Sequence, residues 1–468
     1  MIFSSIEFFI FFAIVLLLMI LIRANNIKRA ILLVASYYFY AYWDYRFSFL
    51  MLAMTLVNYY VGLKIEGSPN SKSKNTWLTG GVVFNLSVLG FFKYFNFFIG
   101  SLNVVLNNFN VKLPFLEIIL PIGISFITFE VMSYIIDIYR GVNKSAKSFW
   151  DFALLVAFFP HLIAGPILKP KQFLPEIEKE VVIKWKNISY GMQIFLLGLV
   201  RKVVIADRLA MFVDPVFKTP QDYSSITIWL AVVAYAMQIY CDFCGYTDMA
   251  IGVAKCLGFD VPKNFDVPYI SLSVTEFWRR WHISLSNWLR DYLYISLGGN
   301  RKGKIRQYCN LLIVMLLGGL WHGASWNFVV WGGLHGVALA IHKIYLDLVG
   351  KKPKNQQSYL YSFGAWLLTI IVVLVTWVFF RATDFSISSL MVQKMFYLTN
   401  SEGINWFASS LTLTVPILII CDYVGTQLNK GVRLQLSTFR GLFVMFFVML
   451  GLLFLAPQNP SPFIYFQF

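Results

Sequence analysis

The sequence predicts an all-α polytopic membrane protein, with about a dozen transmembrane and re-entrant helices around a central cavity or tunnel. Three observations predict it. Apolar residues fill 58% and aromatic residues 18% of the 468 positions, and the mean hydropathy is +0.66, far above the soluble average. Apolar runs near the roughly 20 residues needed to cross a bilayer recur along the whole chain, separated by short basic stretches. The longest polar stretches, such as 65–76, 169–187 and 351–358, are too short to build a core of their own. Residues 1–468 therefore read as a single membrane domain, with 457–468 as a short tail on the outer face after the basic residues Lys430, Arg433 and Arg440.

Charge and cysteine usage narrow the class. Lys and Arg number 39 against 23 Asp and Glu, a formal net charge of +16. Cytoplasmic loops facing anionic headgroups account for such an excess, so the lipid bilayer is the expected partner surface and nucleic acid is not. The five cysteines lie in or beside apolar segments and form no disulfide framework. Cys241-Asp-Phe-Cys244 has ligand spacing but no second ligand pair, and no metal site is expected.

Taken in order, the run 8–21 has no basic residue before it and no small-residue cleavage site after it, which marks a retained signal anchor. Arg23, Lys28 and Arg29 follow, so the N-terminus is expected outside. Spans 31–42 and 49–63 fit a tight outer turn at 43–46 and a basic inner loop with Lys64, Lys72 and Lys74. The span 77–92 comes next, then 115–136, interrupted by Pro121 and Gly123, which kink or break a helix. In 152–168, Pro160-His161 and Gly165-Pro166 predict a broken or re-entrant segment with His161 as a structural histidine. Residues 169–186 mix charge with Phe173, Leu174, Ile177, Val181, Val182 and Trp185, the pattern of a helix on the inner leaflet.

Spans 188–204 and 226–251 follow, the second carrying Gln238, Asp242, Thr247 and Asp248. Carboxylates inside a membrane need partners, and Arg279, Arg280 and Arg290 are the candidates. Span 326–341 holds His335, with His342 seven residues on and sharing its face. Two nitrogens without a carboxylate or thiolate make a poor zinc site, so structural or cavity-lining roles are expected. Spans 366–380, 411–420 and 442–455 complete the set, and no internal repeat is visible.

The chain is organised around 273–326. Ser273 and Glu276 form a capping box, so a helix is expected from Val274. At 100 degrees per residue Phe277, Trp278, Trp281, Leu285, Trp288, Leu289 and Tyr292 share one arc, and Arg279, Arg280, Asn287, Arg290 and Asp291 the other, with His282 at the seam. Gly298, Gly299 and Asn300 end this helix. Arg301, Lys302, Lys304 and Arg306 follow in a loop expected to be cytoplasmic. His282 and His322 each lie about 16 residues from that loop, or roughly 24 Å along a helix, so the two reach similar membrane depth. Gly318, Gly319 and Gly323 bracket His322 and predict a helix break there. An ionisable residue at such a break is a functional candidate.

The run E-F-W-R-R-W-H-I-S-L-S-x-W-L-R-D-Y, the following L-G-G-N-R and the G-G-L-W-H-G-A-x-W ending at Trp326 resemble the membrane-bound O-acyltransferase family. The likeness is strongest to its bacterial branch that O-acetylates cell-envelope polysaccharides, as in alginate O-acetylation. Q-I-Y-C-D-F-C-G-Y-T-D-M-A-I-G at 238–252 and P-I-G-I-S-F-I-T-F at 121–129 extend it over most of the chain, with Cys244 and Ser296 departing from the usual pattern. The resemblance implies a catalytic His322, with His282 as an orienter or hydrogen-bond donor. It also implies acetyl-CoA as donor, and its phosphates suit Arg301, Lys302, Lys304 and Arg306.

Phe463-x-Tyr465-x-x-Phe468 resembles the terminal tyrosine motif with which this branch carries an acyl group, and implies Tyr465 as carrier. A separate periplasmic acetyltransferase would then collect the acetyl group for the polymer. The implied location is the bacterial inner membrane. Composition alone fits an aromatic-belt anchor for the tail.

Acetyl transfer from thioester to hydroxyl needs a base, a donor for the developing oxyanion and exclusion of water. Histidine supplies a base near neutral pH, and Asn327 is a candidate oxyanion donor. The rivals are peptidoglycan O-acetylation, teichoic acid D-alanylation and, in another class, a secondary transporter, whose inverted repeat the chain does not display.

Overall fold

The computed structural model describes residues 1–163, 165–350, 358–407, 409–432, 434–435, 438–456 and 463–464. These residues are dominated by helices, and among them the only β-type pairing is an isolated bridge between Tyr223 and Ile404. Six of the described helices are long and apolar enough to cross a membrane: Tyr45–Glu66, Ser71–Phe109, Ser225–Cys256, Trp326–Val349, Tyr359–Arg381 and Leu411–Asn429. Ile6–Leu21 and Gly441–Leu452 are shorter apolar helices. The chain divides into two compact units, Met1–Phe195 with Met249–Pro262, and Leu196–Asp248 with Lys263–Phe468.

In the first unit, an aromatic cluster packs the N-terminal helices, with Phe8 against Phe3, Phe12, Phe39 and Phe195 at centroid distances of 4.7, 5.8, 6.2 and 6.2 Å. Polar residues inside it pair with each other. Asn58 and Asn85 exchange amide hydrogen bonds at 2.9 and 2.7 Å, because a side-chain amide in an apolar interior is costly without a partner. Of the span expected at 115–136, residues 115–120 are irregular backbone and not helix. The helix begins only at Ile124, and Gly123 has a φ of 74° and lies where a Cβ would stand 2.6 Å from the Leu162 carbonyl oxygen. The broken reading of 152–168 holds, since the helix Phe149–Ala157 gives way to irregular backbone, and His161 is buried in a 3.1 Å pair with Glu130. The helix expected at 169–186 is shorter, Pro170–Glu178, and buries Phe173, Leu174 and Ile177. Beyond it the backbone is used otherwise: the Glu178 and Val181 carbonyls accept from Arg29 and Lys28, each at 2.7 Å.

In the second unit, the helices Lys304–His322 and Trp326–Val349 form a tight hairpin. Glycines set its spacing. A Cβ on Gly319 would lie 2.1 Å from the Phe328 carbonyl oxygen, and one on Gly332 would lie 2.2 Å from that of Met315. Gly318 and Gly319 therefore do not break the helix as expected. It runs through them to His322, and their lack of a side chain admits the opposing backbone.

The intramembrane carboxylates find partners other than the expected arginines. Asp242 pairs with Lys202 at 2.6 Å, and Lys202 also bonds Asp207 at 2.8 Å. Asp248 pairs with Arg201, which bonds Asp422 at 2.8 Å. Arg201 and Lys202 occupy a π-helical turn, Arg201–Ala206, that continues the apolar helix Trp185–Val200. Arg280 instead pairs with Glu276 and Asp266, and Arg290 with Asp291, all on partly exposed surface.

Gly332→Ala should lower stability by about 1–3 kcal/mol, because its Cβ meets fixed backbone. Gly333→Ala, whose Cβ would meet only a Leu316 methyl at 3.4 Å, should be neutral or better. Thermal unfolding of the detergent-solubilised variants checks the contrast.

Candidate active site

The helix start is capped where expected, with Glu276 reaching back to the amide of the residue before the cap. Ser273 accepts from the Glu276 N–H at 3.1 Å, Glu276 accepts from the Leu272 N–H at 3.1 Å, and the helix starts at Val274. The continuous helix expected from there does not form. It stops at Arg280, Trp281 is extended, His282 takes a left-handed conformation with φ 43° and ψ 56°, and a second short helix, Ile283–Trp288, follows.

A left-handed non-glycine residue costs roughly 1–2 kcal/mol, and Asn264 supplies the compensation. Its backbone carbonyl accepts the Ile283 N–H at 2.9 Å, and its side-chain oxygen accepts the Ser284 N–H at 3.0 Å and the Ser284 hydroxyl at 2.9 Å. That same oxygen lies 3.2 Å from His282 Nδ1. An atom that accepts a backbone N–H is an oxygen, so Nδ1 carries the proton towards it, and Nε2 is the basic nitrogen of the neutral ring. The break thus fixes both the place and the tautomer of His282.

His322 ends its helix, and Gly323 leaves in extended backbone at a point where a Cβ would stand 2.1 Å from the Phe328 ring. The hairpin therefore sets the depth of His322, and Trp331 and Phe380 wall its ring at 5.0 and 5.2 Å. The two histidines expected at one depth do meet, with ring centroids 6.3 Å apart and 0% and 3% of their surfaces exposed. Trp321 lies against both rings. Such a pair inside aromatic walls can move protons while excluding bulk water.

The other expected residues divide. Arg301 and Lys302 lie in the exposed turn before the helix Lys304–His322, while Lys304 and Arg306 belong to its first turn and not to the loop. Eighteen residues of helix separate Lys304 from His322, or roughly 27 Å, so the cations are not brought to the histidines. One of the two N–H groups of the Asn327 amide donates to the Ala382 carbonyl at 2.9 Å.

His335 is held through both nitrogens, accepting from the Trp278 indole at 3.3 Å and meeting the Thr376 hydroxyl at 3.0 Å, and His342 bonds Thr275 at 2.8 Å. Among the described residues no group of three His, Cys, Asp or Glu side chains is placed to hold a metal. Tyr465 lies outside the described residues, as do 457–462 and 466–468. Its neighbours Phe463 and Ile464 are described and buried, and the Ile464 N–H donates to Asp242 at 2.8 Å. Sequence reasoning missed Asn264, which carries no periodic or motif signal, and the aromatic walls, whose residues read as ordinary span.

A model of the MBOAT, membrane-bound O-acyltransferase family, matches residues 140–383. A probable alginate O-acetylase of Pseudomonas putida is 40% identical over the full length of both chains. The chain belongs to the membrane-bound O-acyltransferase family. It is thus a multi-pass membrane enzyme that transfers acyl groups to oxygen, and its histidine pair lies within the family's matched region. The peptidoglycan O-acetyltransferase of Helicobacter pylori is 34% identical over 93% of this chain and 91% of that protein. A teichoic acid D-alanyltransferase of Streptococcus thermophilus is 30% identical over 54% of this chain and 66% of its own.

Asn264→Ala should destabilise the acyltransferase by about 1–2 kcal/mol through loss of the cap. Asn264→Asp, which keeps an acceptor for Ser284, should lose less. Thermal unfolding midpoints of the two variants give the comparison.

Proposed function

We propose that this acyltransferase takes acetyl from a cytoplasmic donor, acetyl-CoA, and passes it across the bacterial inner membrane for O-acetylation of an extracytoplasmic polysaccharide resembling alginate. What carries the reading is the buried histidine pair, 6.3 Å between rings, in a chain whose relatives at 40% identity include a probable alginate O-acetylase. His322 acts as general base. It removes the phenolic proton of Tyr465, and the phenolate attacks the thioester carbonyl. The tetrahedral intermediate collapses with breakage of the C–S bond, and the proton held by His322 returns to the departing thiolate. His282, with Nδ1 committed to Asn264, presents Nε2 as a fixed partner and orients the reacting groups.

Tyr465 suits a carrier because a phenol is a stronger acid than a sugar hydroxyl, so its ester is the more activated one. Onward transfer to an ordinary hydroxyl then runs downhill, through a separate periplasmic acetyltransferase. The cations Arg301, Lys302, Lys304 and Arg306 meet the donor's phosphates in this scheme.

His322→Ala should lower acetyl transfer by about 10²- to 10⁴-fold, His282→Ala by less, and Tyr465→Phe should abolish polymer acetylation while keeping the aromatic ring. Each is measured as label transferred from acetyl-CoA to polymer, in membranes carrying equal amounts of folded protein. Polymer acetylation that persists in Tyr465→Phe excludes the relay, and His322→Ala activity within a few fold of wild type excludes the base.

Neutralising the four cations together should raise the KM for acetyl-CoA in a salt-sensitive way, with kcat little changed. An unchanged KM leaves them as determinants of topology only.

A further inference from the structure

The long helix Ser225–Cys256 presents one turn to the last described residues of the chain. Asp242 accepts the backbone N–H of Ile464 at 2.8 Å. Four residues on, and so on the same face, Tyr246 stacks on Phe463 with centroids 4.5 Å apart and planes at 30°. Between them Phe243 lies 6.1 Å from Phe463 and meets the His282 ring edge-on at 4.7 Å. Phe463 and Ile464 are 1% and 4% exposed. The Asp242 carboxylate is itself held at 2.6 Å by Lys202, which Asp207 shares at 2.8 Å. Two carboxylates on one ammonium leave the cluster rich in acceptor capacity, and a backbone N–H matches the Asp242 oxygen turned to the tail.

We infer that Asp242 is a positioning residue for the C-terminal tail: its carboxylate, anchored by Lys202, fixes the chain at Ile464, the residue directly before the proposed carrier Tyr465. The inference rests on the proposed carrier role of Tyr465. It explains why a carboxylate stands in an apolar helix at that turn, where an ion pair serving stability alone gains little over apolar packing. The tail bond is made by backbone, so it sets register without constraining the side chain at 464.

Donor and side chain at position 464 can therefore be varied separately in the full-length protein. Ile464→Val keeps the N–H, and Ile464→Pro removes it while leaving the Lys202, Asp207 and Asp242 cluster untouched. Acetyl transfer should be retained in the first and lost in the second. Docking is read independently as the rate at which a maleimide labels Ile464→Cys in detergent, with the otherwise unaltered chain as background for the native cysteines. Labelling should be slow with Asp242 intact and at least about tenfold faster when Asp242→Ala is added, as loss of a hydrogen bond to a charged group implies. Unchanged labelling overturns the dock, and full transfer by Ile464→Pro overturns the positioning role. Failure of the carrier reading looks different: Tyr465→Phe then stays active, whatever the labelling rate at 464.

Discussion

Inside a membrane protein, a polar group that leaves water must find its partner within the protein, and the candidate site depends on one such partnership. The two oxygens of Asn264, side-chain and backbone, take up donors that the helix break at His282 would otherwise leave open. Without that acceptor, the strained backbone at His282 has nothing to offset it, and a continuous helix is the lower-energy course. With it, the chain turns at the residue whose ring must be fixed, and the hydrogen bond that pays for the turn also selects the ring's tautomer.

The second histidine is placed by a different constraint. His322 ends a helix packed against its successor closely enough that only glycine fits at positions 319 and 332. Lipid offers no hydrophobic drive for two apolar helices to associate, so close backbone approach and dispersion supply the attraction. The resulting hairpin holds His322 against Trp331 and Phe380, and both histidine rings are buried. One histidine is fixed by a hydrogen bond across loops, the other by packing of two helices, and the two mechanisms converge within one unit of the fold.

Buried charge follows the same rule at larger cost. Arg201 and Lys202 are adjacent in sequence and lie inside an apolar segment, where each collects two carboxylates. A shared cation lowers the cost of each carboxylate, and the arrangement ties the long helix Ser225–Cys256 to segments far away in sequence, including Asp422 and the residues before Tyr465. An activated acyl group is open to hydrolysis, so a site walled by aromatic rings suits transfer to oxygen better than hydrolysis.

The sequence by itself determined the class: apolar runs at bilayer length, a basic excess, and a long aromatic and arginine motif around His282 and His322 that matches one family. It also located the start of the helix at Val274 and the meeting of the two histidines, because capping chemistry and helical rise are local and additive. Tertiary structure decided the rest. The break at His282, the pairing of Asp242 with Lys202 and Asp248 with Arg201, and the use of Gly319 for packing all depend on residues distant in sequence. A helix-period reading could not find them, since the free energy that selects each one comes from a partner the local pattern does not contain.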